Sequence, residues 1–207
     1  MKVLAVGAHP DDIEYGCGGS LLRLKKVHDA EIHFFVATCG SAGGDAGERK
    51  REQELAGEVL GVKKVHWGGF EDTKLTMGGE LISAVEKCID EVQPDIVFVN
   101  SPKDTHQDHK NLGEATIIAA RYCQRVLFYE DFTARGFDPT FYRDIGDVLL
   151  EKVALLRCHH SQVNRQYPTG LDILESVKAV ANYRGFQAKC KYAEGFEALR
   201  YLLDDIE

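Results

Sequence analysis

The chain has 207 residues, 44% apolar and 28% charged, with five prolines, which suits a globular protein of one domain or a domain with a modest appendage. Its formal net charge of −8 repels a phosphate backbone, so a nucleic-acid partner is not expected. No apolar run approaches the roughly 18 residues of a membrane span, and six cysteines without a CxxC pair suit reduced thiols in a cytoplasmic protein with no signal peptide.

In chain order, the apolar run 3–8 ends at His9-Pro10 and reads as a buried strand. Leu21, Leu22, Leu24 and Val27 then recur at helical spacing within 16–27. A second strand is predicted over 32–37, a glycine-rich loop over 40–47, and a helix over 49–60 that stops at Gly61 and turns Leu55, Ala56, Val59 and Leu60 inward. A short third strand over 65–67 is followed by a helix over 79–92 closed by Pro94 and a fourth strand over 96–100. The loop 101–108 leads into a helix over 109–123, then a fifth strand over 126–129. Beyond Asp131 the pattern is less regular: loop with one strand over 132–146, and helices over 147–158 and 171–186.

This alternation predicts an α/β fold, a Rossmann-like, doubly wound, mostly parallel sheet with helices on both faces. Residues 1–131 form the core and 132–207 an appendage of helices and strand completing the pocket of a single domain.

Two clusters follow the first and fourth strands: Ala8-His9-Pro10-Asp11-Asp12-Ile13-Glu14 and His106-Gln107-Asp108-His109. In a doubly wound sheet these strands are neighbours where the strand order reverses, and ligands bind outside their carboxyl ends. Zinc takes imidazole nitrogen and carboxylate oxygen, and a catalytic zinc keeps one position open for water. Of the paired Asp11 and Asp12, one carboxylate can bind metal while the other takes the water's proton, with Glu14 and Asp108 as candidates to orient ligands. Each cluster alone also reads as an ordinary turn or a solvent-facing pair; together they favour a metal site. A competing reading uses Gly16, Gly18 and Gly19 at the head of a helix to bind a nucleotide or phosphate, although Asp11, Asp12 and Glu14 would repel it.

The same residues resemble the LmbE-like or PIG-L-like N-deacetylases, with the bacillithiol-biosynthesis type nearest in pattern. Ala8 to Asp12 with Glu14, Gly16, Gly18 and Gly19 match the family's first motif, and His106 to His109 with Gly113 its second, with Gln107 replacing a frequent proline. Arg49, Glu52, Ala56, Leu60 and Gly61, then Asp72 and Leu75, then Lys152, Ala154, Leu155, His159, Ser161 and Gln162, and finally Tyr192 to Phe196 extend the likeness over nearly the whole chain. The resemblance implies a zinc ion, or another divalent metal, held by His9, Asp12 and His109. It implies Asp11 as general base on the attacking water, His106 as stabiliser of the oxyanion or proton donor, and Asp108 as the residue orienting a histidine. Arg49 resembles the family's substrate-recognition arginine, against the alternative of a surface residue beside Lys50 and Arg51, and His159 is a candidate to line the pocket. His28, His33 and His66 match no functional position. The implied substrate is a small N-acetylglucosamine-type sugar or conjugate, with a different amide as the alternative, and the implied assembly is a homo-oligomer, trimer or hexamer.

Overall fold

The computed structural model describes residues 1–203; the last four residues of the expected appendage, 204–207, lie outside the described residues. The first five strands along the chain are parallel: β1 (Lys2–Gly7), β2 (Glu31–Thr38), β3 (Lys64–Phe70), β4 (Ile96–Asn100) and β5 (Arg125–Tyr129). Two more, β6 (Phe141–Asp144) and β7 (Ala193–Tyr201), complete a seven-stranded sheet in the order β3-β2-β1-β4-β5-β7-β6. β7 pairs antiparallel with both β5 and β6. The segment beyond Asp131 therefore extends the same sheet, and its second strand lies between two others, a place that its residues did not announce.

The helices are α1 (Asp12–His28), α2 (Ala46–Leu60), α3 (Gly79–Val92), α4 (Gln107–Ala119), α5 (Leu149–Arg157), the short α6 (His160–Val163) and α7 (Ile173–Ala188). Alternation along β1 separates two cores. Val3 and Ala5 join Ile13, Cys17 and Leu21 of α1, Leu155 of α5 and Ala181 of α7 on one face. Leu4 and Val6 meet Leu81 and Val85 of α3 and Leu112 and Ala115 of α4 on the other.

Two expectations are corrected. α1 begins at Asp12, four residues before Gly16, because Asp12 and Glu14 sit favourably in a first helical turn and the glycines are recruited by packing. A Cβ on Gly16 would lie 2.0 Å from the Tyr129 ring, so glycine lets α1 approach β5. On α2, Ala56 and Leu60 point inward as expected, but Leu55 and Val59 are exposed. The buried stripe is instead Arg49, Glu52, Gln53, Ala56, Gly57 and Leu60, a largely polar face turned toward the site.

Candidate active site

β1 and β4 are hydrogen-bonded neighbours, in register from Val3↔Ile96 to Val6↔Val99, so the two motifs emerge side by side at their carboxyl ends. Asn100, the last residue of β4, ties them: its Oδ1 accepts from Ala8 N at 3.1 Å and its Nδ2 donates to Asp12 Oδ2 at 3.2 Å. The same Asp12 oxygen accepts from Ala8 N at 2.9 Å and His9 N at 3.0 Å, which folds the loop back on the first turn of α1.

Each histidine of interest has one nitrogen held from outside. His9 Nε2 lies 3.0 Å from Asp72 Oδ1 and 3.2 Å from Asp108 Oδ2. His109 Nδ1 lies 3.1 Å from Asp104 Oδ2. Those carboxylates fix the proton on the outer nitrogens and leave His9 Nδ1 and His109 Nε2 as lone-pair donors. The two inner nitrogens are 3.2 Å apart, and they lie 3.6 and 3.3 Å from the Asp12 carboxylate. Donors about 2.0–2.1 Å from a tetrahedral zinc are separated by about 3.4 Å, so this triangle has the right size. Facing lone pairs beside a carboxylate repel one another unless a positive charge sits among them.

The electrostatics show the same demand for positive charge, which protons on the imidazoles meet in the absence of a metal. Burial opposes a charge on either imidazole, but Asp12 and the flanking carboxylates outweigh it and raise both, His109 to about 10. Burial would raise Asp12, yet His109 and His9 hold it well below the usual carboxylate range. Among the described residues, three overlapping groups could hold a metal: His9 with His106 and His109, His9 with Asp72 and Asp108, and Asp12 with His109 and Asp131. The second group uses the outer nitrogen of His9, whereas His9 Nδ1 and His109 Nε2 face the Asp12 carboxylate.

A cavity of ≈ 270 Å³ opens over this cluster, lined by His9, Asp11, Asp12, His106, His109, Arg49, Asp72 and Asp131 together with Tyr15, Phe132, Arg165 and Tyr167. Asp11 takes a left-handed backbone, φ 93° and ψ −25°, a strained conformation for a residue with a side chain. Burial raises its carboxyl to about 6 against the opposing charges of Arg49 and His159. His106 packs edge-on to His9 and stacked on His109, both at 4.7 Å between ring centroids. Burial and the two neighbouring rings lower it, so it is neutral at neutral pH.

Arg49 is buried, not a solvated surface residue. Its Nη1 donates to Gly40 O at 2.8 Å and its Nη2 to Pro10 O at 2.7 Å, with Asp11 Oδ1 at 3.3 Å. His159 does not reach the cavity wall: it is fully buried, with Nε2 3.4 Å from Glu14 Oε2. Glu14 likewise stays away from the metal-type cluster and accepts from Gln53 Nε2 at 2.6 Å. His33 and His66 pair with each other at 3.3 Å, away from the cavity. The reading of Gly16 and Gly19 as a phosphate loop fails sterically, because both lie within α1, pressed against Tyr129 and Ile145.

Sequence reasoning missed Asp104, Asn100, Gln53 and Asp131. A carboxylate five residues before His109 was the only signal for Asp104. Asp131 shows itself only once β5 brings it to the cavity, where burial raises it to about 8.

The model of the family described as PIG-L, GlcNAc-PI de-N-acetylase, matches residues 4–120, more than half of the chain. The chain belongs to this family of de-N-acetylases. A diacetylchitobiose deacetylase of Thermococcus kodakarensis is 30% identical over 224 residues, covering 94% of this chain and 81% of that protein. A deacetylase of Escherichia coli named YaiS, described as uncharacterized, is 34% identical over 170 residues, covering 77% of this chain and 90% of that one. Among solved structures, the conserved protein TT1542 from Thermus thermophilus superposes with a TM-score of 0.86 at 27% identity, covering 98% of this chain and 96% of that one. The family chain is thus an N-deacetylase with a His/Asp cluster fit for a metal, on an α/β fold shared with its relatives. Among the described residues, no helix is long and apolar enough to cross a membrane.

Proposed function

We propose that this PIG-L family member is a zinc-dependent hydrolase that removes the acetyl group of an N-acetylglucosamine-type sugar or conjugate, releasing acetate and a free amine. The observation that carries the reading is the convergence of His9 Nδ1, His109 Nε2 and the Asp12 carboxylate, with the outer nitrogens held by Asp72, Asp108 and Asp104. His9, Asp12 and His109 would hold the metal. Bound zinc supplies a Lewis acid that polarises the amide carbonyl and lowers the pKa of a water toward about 7.

The chain's own groups do the rest. Asp11 is ionised at neutral pH and takes the proton of the attacking water, which passes on to the departing amine nitrogen. His106, neutral and cavity-facing, offers its N–H to the carbonyl oxygen as that atom gains charge. Asp108 orients His9, and Arg49 lines the same cavity as a substrate contact, whereas the burial of His159 speaks against that role. A groove of Phe132, Tyr167, Leu171 and Ile173 joins the cavity and would carry the part of a conjugate beyond the sugar. The relative named for diacetylchitobiose and the relatives named for N-acetyl-alpha-D-glucosaminyl L-malate support this substrate class. A cytoplasmic homo-oligomer completes the reading, drawn from the family resemblance and from cysteines that are unpaired among the described residues.

The test is acetate release by metal-loaded protein from N-acetylglucosamine, N,N′-diacetylchitobiose and an anionic glucosaminide, with metal content measured in parallel. His109→Ala is expected to lose most bound zinc, and Asp11→Asn to keep zinc while losing about 10²–10⁴-fold in kcat. Zinc retained at full stoichiometry in His9→Ala/His109→Ala defeats the ligand assignment. Turnover of another amide or a ureido compound, with none of the sugars, moves the activity to the alternative substrate class.

A further inference from the structure

Asp11 must hold a left-handed backbone while aiming its carboxylate into the cavity, and its own side chain does not cap the helix it begins. The partner of its amide is remote in sequence: Asp11 N donates to Gln53 Oε1 at 3.2 Å. Gln53 lies on the polar face of α2 and is fully buried. Its other end donates from Nε2 to Glu14 Oε1 at 2.6 Å, and Glu14 Oε2 faces His159 Nε2 at 3.4 Å. Glu14 and His159 are both fully buried.

This arrangement dictates which way the Gln53 amide points. A flipped amide would set its oxygen against the Glu14 carboxylate and its NH₂ against the Asp11 N–H, leaving four polar groups without partners, those of Gln53 and Glu14 fully buried. The buried Glu14 carboxylate, whose Oε1 accepts from Gln53 Nε2, therefore forces the Gln53 carbonyl toward Asp11. We propose that Gln53, oriented by the buried Glu14 carboxylate, is a positioning residue that locks the strained backbone of Asp11 and so aims its carboxylate at the attacking water. This deepens, and rests on, the reading of Asp11 as the base. It assigns work to a motif residue, Glu14, that does not line the cavity.

The experiment uses three variants of the full chain: Gln53→Met, Gln53→Glu, and the exchange Glu14→Gln/Gln53→Glu. For each, kcat and KM for acetate release, bound metal, thermal midpoint and hydrogen exchange at the Asp11 amide in metal-free protein are measured. Gln53→Met keeps the side-chain length without hydrogen bonds. It is expected to bind metal normally, hold KM within about twofold and lose about 100-fold in kcat, the scale of a misplaced catalytic group. Its Asp11 amide should exchange faster, because its partner is gone. Gln53→Glu opposes two buried carboxylates and should be at least as defective. The exchange variant restores both contacts: the amide now at position 14 donates to the carboxylate now at position 53, and that carboxylate accepts from Asp11 N. It should recover to within about tenfold of the parent if the two positions act as a coupled pair.

Parent-like kcat and unchanged Asp11 exchange in Gln53→Met overturn the proposal. So does an exchange variant no better than Gln53→Glu, or a kcat loss in Gln53→Met explained by lost metal. Asp11→Asn is measured beside them. If it keeps full activity, the assignment of the base fails, and the exchange rate at the Asp11 amide still judges the hold that Gln53 exerts.

Discussion

Asp104 and Asp72 are outside both motifs, yet each touches the outer nitrogen of a histidine whose inner nitrogen faces the cluster. Such carboxylates fix ring orientation and raise ligand basicity. Asp104→Ala is therefore expected to weaken metal binding about 10–100-fold while the protein stays folded, as read by competition with a chelator of known affinity. Gly40 serves Arg49 in a comparable way. Its φ is 66°, and a Cβ there would lie 2.1 Å from Arg49 Nη1. Gly40→Ala should displace the guanidinium from Asp11 and destabilise the chain by about 1–3 kcal/mol, checked by urea unfolding alongside activity. At this scale the reactive side chains were legible, because His9, Asp11, Asp12, His106, Asp108 and His109 sit in dense local patterns. Their holders were not, because Asp104, Asn100 and Gln53 are single polar residues whose partners lie 5, 88 to 92 and 39 to 42 positions away.

Among the elements, α1, α5 and β7 are joined by one buried ion pair. Lys152 Nζ donates to Glu194 Oε1 and to Tyr15 O, both at 2.5 Å, while Glu194 accepts from Gly19 N at 2.8 Å and Ser20 N at 2.7 Å. Removing one partner leaves a buried charge uncompensated, so Lys152→Met should cost about 3–5 kcal/mol in denaturant unfolding. Lys152→Met/Glu194→Gln should cost less than the sum of the two single changes, since neither charge is then stranded. α3 and β4 were readable to the residue, because a strong apolar stripe and Pro94 bound them. β7 was not: Ala193, Glu194, Gly195 and Glu197 have weak strand preference, and only its two neighbours make the segment a strand. α2 misled for a related reason, since its inward face carries Arg49, Glu52 and Gln53 and hydrophobic periodicity cannot see a polar core.

For the molecule as a whole, the sheet is closed on one side only by the segment beyond Asp131. A chain ended there leaves β5 as a bare edge and removes Phe196 from the side of Phe98, where the rings are 5.3 Å apart. Such a fragment is expected to bind a hydrophobic dye and to show no cooperative thermal transition. Metal should act at the same scale, because the triangle of His9, Asp12 and His109 exists only when β1 and β4 lie side by side. A metal that binds only the folded chain adds about 2.7 kcal/mol at one hundred times its dissociation constant, so chelation should lower the thermal midpoint measurably.

The amino-acid sequence by itself determined the α/β alternation, the two reactive motifs and the family, because these depend on local periodicity and on residues clustered within a few positions. Only the tertiary structure decided which nitrogen of each histidine faces inward, which carboxylates hold the outer ones, that Arg49 is buried against Asp11, and that β7 enters the sheet. Those features arise from contacts between residues far apart along the chain, where pairing geometry and burial, not local preference, select the partner.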